Sequence, residues 1–428
     1  MIDDRLSQMP RVSATDYFDN ICSFRVLFLA TDLLAQRWAS GRPTGVQNIN
    51  RNFGRRYRKA HYAEILSVII DIQTRTLITG DVSGNLMWWD VVSGKNLYGH
   101  HTNMEQHEPP LLAASAGCLA LSGDRLAVGT WPSRGENPFE PALVFLMHRA
   151  PHQCCYESPE KGGGESRFVS SELRAWVRSS AMTIQLEASV CIVASQGLVQ
   201  FWDIQGRHPS QLLTINTANF DIYLWQSHVP WYNLAIYYRK PSLYVADSCI
   251  SVFRPKHADS DNDRQIWDYP SDDIERQLIY SDCRPEEEIT VDDHGFCRLV
   301  PQSGSAVVQA VSSDMRLLMI PENSVVASAT SEIHGSTRAL ASKTVRCIAT
   351  TAGYIGIGTE AKTNPDHRQP RTEAEVHLLH EDGEAIVTFE DLFGDVNCLA
   401  MDPCFFVSVS DDLSVMMRDY RPQHVLNC

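Results

Sequence analysis

The chain has 428 residues, 43% hydrophobic and 21% charged, and this ordinary globular composition excludes a disordered or fibrous protein. Its formal net charge of −15 argues against a dominant nucleic-acid-binding surface, because phosphate contacts depend on clustered Lys and Arg. No run reaches the roughly 18 apolar residues of a membrane span, and the first residues lack the basic and apolar regions of a signal peptide. We therefore expect a soluble cytoplasmic protein without membrane contact, with the nucleus as a second location.

Residues 1–42 show no strand alternation, and apolar residues between Phe24 and Leu34 would line one side of a helix. We therefore predict a helical lead-in over 1–42 and a second domain over 43–428. The run Arg51–Lys59 holds five basic residues. We interpret it as a solvated outer strand; the alternative is a phosphate-binding or nuclear-import patch.

The clearest pattern in the chain is Leu77–Lys95, with the sequence LITGDVSGNLMWWDVVSGK. Two apolar runs flank a turn at residues 80–84, and Trp89-Asp90 ends the second run, so the pattern predicts strand, turn and strand. Another apolar run lies N-terminal to this pattern, and His61 precedes it. Gly99-His100 follows a predicted strand over 95–98, about 39 residues after His61.

This arrangement resembles the second and third strands of a WD-repeat propeller blade, which has a Gly-His pair ahead and a Trp-Asp pair at its end, in repeats of about 40–45 residues. The resemblance implies an all-β protein in which four-stranded sheets are arranged radially around an axis. It also implies that the Trp-Asp and His residues are structural anchors.

Similar units recur along the chain. The predicted strand pairs are 125–130 with 142–147, 190–194 with 198–203, 243–246 with 249–253, 345–350 with 354–359, and 405–410 with 414–419. A less regular unit is expected over 288–300, and residues 304–335 belong to it or form a blade of their own. The spacing favours seven blades, with eight as the alternative.

The last unit shows three strands and then only a short tail. A propeller of this kind commonly borrows its missing outer strand from the N-terminal side, and residues 45–59 lie in the right place. We therefore predict that the ring closes through this segment, and that deleting residues 43–60 lowers stability sharply.

The resemblance assigns a set of structural blade anchors: His61, Trp89, Asp90, His100, Trp202, Asp203, Asp412 and Asp419. In WD-repeat blades a network of Asp, His and Ser or Thr satisfies the Trp N–H. By resemblance Asp412 fills the Asp position of the last blade, whereas Ser83 and Gln196 occupy it in the first and third, so these networks are expected to be incomplete. In the last blade Arg418 stands where the Trp is usual.

No arrangement of residues predicts catalysis or a cofactor. His148, His152, Cys154 and Cys155 are four potential zinc ligands, but their spacing matches no familiar zinc finger, and we predict no metal site. The carboxylates at 286–288 and 292–293, followed by His294, are interpreted as a solvated rim. We assign no catalytic residue.

The leading hypothesis is a non-catalytic scaffold that binds proteins or peptides at its propeller faces, with insertions at 131–141, 254–264 and 360–373 giving specificity. The alternative is the substrate receptor of a cullin-type ubiquitin ligase, bound to the ligase adaptor, because Trp38–Gly41 resembles the Trp-x-x-Gly segment that joins an F-box to a first blade. The F-box would then be missing or degenerate. Candidate partner-binding residues are Trp38, Arg55, Arg56 and Arg58. A third class, a propeller hydrolase, would need Asp, Glu or His converging at the central opening.

Overall fold

A computed structural model describes the chain over the following residues: 29–50, 60–71, 73–101, 115–131, 142–148, 171–177, 183–186, 190–195, 198–204, 209–216, 235–239, 242–246, 249–253, 287–290, 298–301, 307–311, 316–321, 329–332, 345–351, 353–363, 372–380 and 384–422. Over this part the protein is a helix followed by antiparallel sheets. The helix, α1, covers residues 29–40. The described part of the chain contains no helix long and apolar enough to cross a bilayer.

The first strand, β1 (Gly45–Asn48), is followed by seven sheets, which we call blades. Blade 1 contains β2 (Ile65–Asp71), β3 (Thr76–Asp81), β4 (Asn85–Asp90) and β5 (Asn96–His101). Blade 2 contains β6 (Ser115–Ser122), β7 (Arg125–Trp131), β8 (Ala142–His148) and β9 (Ser171–Val177). Blade 3 contains β10 (Thr183–Leu186), β11 (Val190–Ser195), β12 (Leu198–Asp203) and β13 (Ser210–Asn216).

The remaining blades follow the same order. Blade 4 contains β14 (Ala235–Arg239), β15 (Ser242–Ala246), β16 (Cys249–Phe253) and β17 (Glu287–Thr290). Blade 5 contains β18 (Arg298–Pro301), β19 (Val307–Val311), β20 (Arg316–Pro321) and β21 (Ala329–Glu332). Blade 6 contains β22 (Val345–Thr351), β23 (Tyr354–Thr359), the short β24 (Lys362–Thr363), β25 (Thr372–His380) and β26 (Ala385–Leu392). Blade 7 contains β27 (Val396–Met401), β28 (Phe405–Ser410) and β29 (Val415–Asp419).

The blades form a closed ring. The first strands of successive blades are neighbours in the order β2, β6, β10, β14, β18, β22 and β27, and β27 lies beside β2 again. This arrangement of antiparallel four-stranded sheets is a seven-bladed β-propeller, so the predicted all-β fold with a short N-terminal helix is confirmed. Because the ring is closed, every blade packs between two neighbours and no terminal blade is left with an uncovered apolar face.

Blade 7 is completed by the N-terminal strand, as the sequence predicts. β1 pairs antiparallel with β29, from Gly45 opposite Asp419 to Asn48 opposite Met416. The backbone N–H of Ile49 extends the pairing by donating to the carbonyl of Val415 at 3.0 Å. Both ends of the described chain therefore share one sheet.

The fifth predicted unit, 288–300, is wrong in its boundaries. Glu287–Thr290 is the outer strand of blade 4, paired with β16, and Arg298–Pro301 is the first strand of blade 5. The strands between residues 304 and 335 complete blade 5, so they do not form an eighth blade. The misassignment arose because 33 residues, 254–286, separate β16 from its partner β17 in sequence.

The core consists of apolar clusters between adjacent blades. One joins blades 7 and 1 and includes Ile49, Val68, Trp89, Val407 and Val415. Alternation along each strand sends these side chains into the space between two sheets, where burial of large apolar groups stabilises the ring.

Candidate functional site

A buried hydrogen-bond network anchors blade 1. The indole Nε1–H of Trp89 donates to the hydroxyl of Thr79 at 2.8 Å, and the same hydroxyl lies 2.6 Å from Nε2 of His61. Nδ1 of His61 lies 2.8 Å from a carboxylate oxygen of Asp81. The side chains of His61 and Asp81 are completely buried. The network therefore links the approach to β2, the end of β3 and the third strand, β4.

The order of donors in this network follows from the groups themselves. Because a carboxylate only accepts hydrogen bonds, Nδ1 of His61 carries a proton and donates to Asp81, while Nε2 of the same ring shares a hydrogen bond with the hydroxyl of Thr79. Burial alone would raise the pKa of Asp81, but the hydrogen bond and charge of His61 and the bonds from Asn85 outweigh it, so the pKa lies below its usual value. Asp81 is thus held as a carboxylate whose partners belong to its own blade.

The network in blade 1 is complete, so the expectation of an incomplete network there does not hold. The Asp position is the last residue of β3, Asp81, and Ser83 lies two residues later, where its N–H donates to Asp81 at 2.9 Å. In both blades the last residue of the second strand lies opposite the first residue of the first strand, next to a register shift. Ser410 in blade 7 is therefore the counterpart of Asp81 in blade 1. Asp412 is therefore a turn residue that accepts from the N–H of Ser414 at 2.7 Å. In blades 1 and 7 the sequence prediction placed the Asp position at a turn residue, Ser83 or Asp412, two residues after the end of the strand.

In blade 3 the anchor Trp202 is buried, but its N–H has no acceptor. Trp202 lies opposite Cys191, just as Trp89 lies opposite Leu77, so Val193 occupies the place of Thr79. Valine offers no hydroxyl, and Nε1 of Trp202 is among the buried polar atoms without a hydrogen bond, as is Oε1 of Gln200. The proposed Asp position at Gln196 lies outside the described residues.

Blade 7 has a buried arginine in the place of the tryptophan. Arg418 lies opposite Phe406, and its guanidinium donates to Ser408 at 2.9 Å, as Trp89 donates to Thr79. It also pairs with Asp391 of blade 6 at 2.5 Å and stacks 4.2 Å from the ring centre of Phe389. Burial lowers the pKa of Arg418, but a guanidinium stays charged in any case. The cation therefore joins blade 7 to blade 6.

The remaining anchors take several roles. Asp90 and Asp419 are the last residues of the third strands and stabilise the next turn: Asp90 accepts from the N–H of Ser93 at 2.6 Å, and Asp419 pairs with Arg421 at 2.8 Å. Asp203 lies opposite Val190 at the end of β12. His100 lies inside β5, opposite Leu86, which corrects the prediction that Gly99-His100 follows the strand.

Helix α1 is fixed to blades 6 and 7 by Trp38. The indole is 2% exposed, stacks on Tyr420 with ring centres 4.0 Å apart, and contacts Tyr354 at 5.2 Å. Its Nε1–H donates to the carbonyl of Pro403 at 2.8 Å. Its surface is therefore occupied within the chain and is unavailable to a partner in this arrangement.

Gly41 ends the helix, and only glycine fits there. Its φ is +62°, in the left-handed region, and a Cβ would collide with Val387. The Trp38–Gly41 segment therefore serves to dock α1 and to turn the chain towards β1.

The other candidate sites lie wholly or partly outside the described residues. Arg55, Arg56 and Arg58 lie outside them, and so do His152, Cys154, Cys155, Asp292, Asp293 and His294. His148 ends β8, opposite Arg125. Over the described ranges, no three His, Cys, Asp or Glu side chains are grouped so as to hold a metal.

The described free thiols are Cys191, which is buried, and four that are partly buried: Cys118, Cys347, Cys398 and Cys404. Burial raises the pKa of Cys118 to about 12 and raises that of Cys191 as well, so both remain protonated and unreactive near neutral pH. This fits the role of small buried hydrophobic residues.

One surface of blades 7 and 1 carries exposed aromatic side chains. We define the loop surface as residues 61–64 and 82–84 of blade 1 and 393–395 and 411–414 of blade 7. Tyr62 is 75% exposed and Phe393 is 46% exposed. Each lies three residues before the first strand of its blade, so the two occupy equivalent positions on adjacent blades. Sequence reasoning missed both, because only the strand boundaries reveal their equivalence.

Comparison with known proteins supports the fold class. The closed ring of seven antiparallel sheets is a β-propeller fold, and its blade 1 contains the Trp, Thr, His and Asp network. A solved structure described as the crystal structure of RRP9 WD40 repeats aligns with 88% of this chain and 98% of its own, with a TM-score of 0.53 and 11% identity. That likeness is one of fold. No family model and no curated protein matches the chain.

Proposed function

We propose that this protein is a non-catalytic scaffold that binds other proteins at its loop-bearing faces. The observation that carries the proposal is the exposure of Tyr62 and Phe393 on the loops of a closed ring. Large aromatic side chains at such positions are typical of protein-binding surfaces, and a rigid framework limits the entropy lost on binding. The most obvious acid and base, His61 and Asp81, are buried and bonded to each other.

Proximity labelling in the native cell, with this chain as bait, tests the scaffold proposal. We expect a reproducible set of neighbouring proteins in the cytoplasm or the nucleus. Replacing the insertions 131–141, 254–264 and 360–373 one at a time should remove particular members of that set. If no protein exceeds the background of a freely expressed labelling enzyme, the proposal fails.

A second candidate is the substrate receptor of a cullin-type ubiquitin ligase. One observation favours it: α1, already fixed by Trp38, exposes Leu29 and Leu33 four residues apart on one side. An adaptor protein would contact such an apolar stripe. The test is capture of the ligase adaptor by the full chain, which should be lost in the Leu29→Ser/Leu33→Ser variant and retained in Val92→Ser. Absence of adaptor from the wild-type capture would reject this candidate.

A further inference from the structure

The two exposed aromatic residues of the loop surface belong to a shared structural setting. The N–H of Val82 donates to the carbonyl of Glu64 at 2.8 Å, and in the same place in blade 7 the N–H of Asp411 donates to Asp395 at 3.1 Å. The side chain of Asn397 bridges the blades by donating to the carbonyl of Ile65 at 3.0 Å. Tyr62 and Phe393 therefore project from two loops that are fixed relative to each other.

Among the described residues, the charge around these loops is negative. The loop surface contains four carboxylates, Glu64, Asp395, Asp411 and Asp412, and of these Asp395 is paired with Arg346. Partial desolvation and the charges of Glu64 and Asp412 raise the pKa of Asp411, against the opposing effect of Arg346. Burial is the largest cause of this shift, and the neighbouring carboxylates of Glu64 and Asp412 add to it.

Blade 7 is covered at its other end, together with the neighbouring blade 6. Trp38 of α1 contacts Pro403, which lies between β27 and β28, and Tyr354, which begins β23. These positions are at the opposite ends of the strands from the loop surface. Helix α1 therefore covers the end of blade 7 that lies opposite the loop surface.

We propose that the loop surface binds an extended segment of a partner protein that contains Arg or Lys beside apolar residues. Tyr62 and Phe393 would contact the cation and its apolar neighbours, because aromatic faces attract guanidinium and ammonium groups and also bury aliphatic side chains. Glu64 and Asp411 supply the complementary charge, which favours a basic segment over an acidic one. This inference rests on the proposed scaffold function and specifies the chemistry of the partner.

Selection of displayed random peptides, about 12 residues long, on the immobilised full chain tests the inference. We expect enrichment of sequences with Arg or Lys next to apolar residues. A synthetic peptide of the enriched sequence should bind Tyr62→Ser/Phe393→Ser at least about tenfold more weakly than the wild type, a change of about 1.4 kcal/mol. It should bind Glu64→Gln/Asp411→Asn several-fold more weakly and with a smaller dependence on salt.

The matched control is Val46→Ser/Val92→Ser, because these side chains are 51% and 52% exposed and lie outside the loop surface. It should bind the peptide like the wild type. Enrichment of acidic or uncharged sequences, no enrichment, or unchanged binding by Tyr62→Ser/Phe393→Ser would overturn the inference. If Arg55→Ala/Arg56→Ala/Arg58→Ala binds the peptide more tightly than the wild type, by about tenfold or more, the ligand of the loop surface is the chain's own basic run. That result would also overturn the inference.

Failure of the inference and failure of the scaffold function give different results. If proximity labelling returns the same partners for the wild type and for Tyr62→Ser/Phe393→Ser, the scaffold function stands and the loop surface is not the binding site. If the wild type returns no partners, the scaffold function itself fails.

Discussion

Blades 1 and 3 differ in the side chain that faces the indole N–H of the anchor tryptophan. Thr79 accepts from Trp89, whereas Val193 leaves the N–H of Trp202 without an acceptor. Gln200 lies directly opposite Val193, and Trp202 lies two residues further along β12, so all three side chains are on one face. A hydroxyl at position 193 would have a donor on one side and an acceptor, Oε1 of Gln200, on the other.

We therefore expect Val193→Thr to raise the free energy of unfolding by about 1 kcal/mol, because it satisfies two buried polar atoms. Val128→Thr is the matched control. Val128 occupies the same position in blade 2, but Met147 stands there in place of the Trp, so the added hydroxyl gains no indole donor. Val128→Thr should lower stability by roughly 1–3 kcal/mol. Urea denaturation of both variants measures the difference, and equal effects would contradict the assigned equivalence.

The buried ion pair of Arg418 and Asp391 should respond unequally to the loss of its two members. Arg418 is fully buried, whereas the side chain of Asp391 is about a third exposed. Asp391→Ala leaves a buried cation without its partner and should cost on the order of 3 kcal/mol. Arg418→Met leaves only a solvated carboxylate and fills the site with an apolar side chain, so it should cost less than Asp391→Ala. Thermal melts of both variants check the order, and the reverse order would refute it.

The lowered pKa of Asp81 predicts an acid-sensitive contribution to stability. Because the folded state favours the carboxylate, this contribution is present above the pKa of the unfolded state, about 4, and is lost as the pH falls through the folded-state pKa. The stability difference between the wild type and Asp81→Asn should therefore shrink as the pH falls from about 6 to about 3.

Asp411→Asn provides a control of opposite sign. Its raised pKa means that the folded state disfavours the carboxylate, so ionised Asp411 destabilises the fold at neutral pH. Asp411→Asn should then be more stable than the wild type at pH 7, and the advantage should vanish in acid. Denaturation curves across this pH range decide both cases, and parallel profiles for the two variants would contradict the assignment.

At the scale of elements, the ring depends on the strand that reaches it from the N-terminal side. Beyond β1, Ile49 is completely buried between blades 7 and 1, whereas Val46 within β1 is half exposed. Thr44 also donates to the carbonyl of Arg421 at 2.6 Å. The segment therefore seals the ring with both backbone pairing and apolar contacts.

Ile49→Ala should lower the free energy of unfolding by about 2–5 kcal/mol, because the cavity lies in the seam between the chain ends. Val46→Ala, in the same segment but half exposed, should change it by no more than about 0.5 kcal/mol. Chemical denaturation monitored by tryptophan fluorescence compares them. If both variants lose similar free energy of unfolding, backbone pairing alone closes the ring. Deletion of residues 43–60 should lower the free energy of unfolding more than either substitution.

At the scale of the whole molecule, each blade contacts both of its neighbours, and the ring has no terminal unit. A weakened seam should therefore destabilise all blades together rather than blade 7 alone. In calorimetry we expect Ile49→Ala to shift one unfolding transition to lower temperature, with calorimetric and van't Hoff enthalpies that agree. Two separate transitions would show that the blades unfold as independent groups, as in open repeat arrays.

The sequence was sufficient for the class of fold because the information is local. The apolar runs around residues 80–84 and the Trp89-Asp90 pair specify a hairpin, and its repetition specifies the ring. Asp81 was missed because the pattern alone does not show which residue ends the strand, although Thr79, Asp81 and His61 were all visible in sequence. The spacing from Trp89 back to its partner on the neighbouring strand would have located Asp81.

Other features depend on contacts that no local pattern contains. Trp38 donates to Pro403, 365 residues away, so its role in docking the helix is set by the closed ring. Blade 5 was misdivided because the outer strand of blade 4 lies beyond a long insertion. The loop surface emerges only when the strand ends of blades 7 and 1 are brought side by side.

The pairing of β1 with β29 also has a consequence for biosynthesis. Thr44 contacts a residue 377 positions later, so β1 is synthesised long before the strand with which it pairs. At about 5–20 residues per second, that delay is on the order of 20–75 s, during which β1 and Ile49 lack their partners in blade 7. Slower translation of the last blade would prolong this interval, and nascent chains halted before Val415 would lack the strand that completes the final sheet.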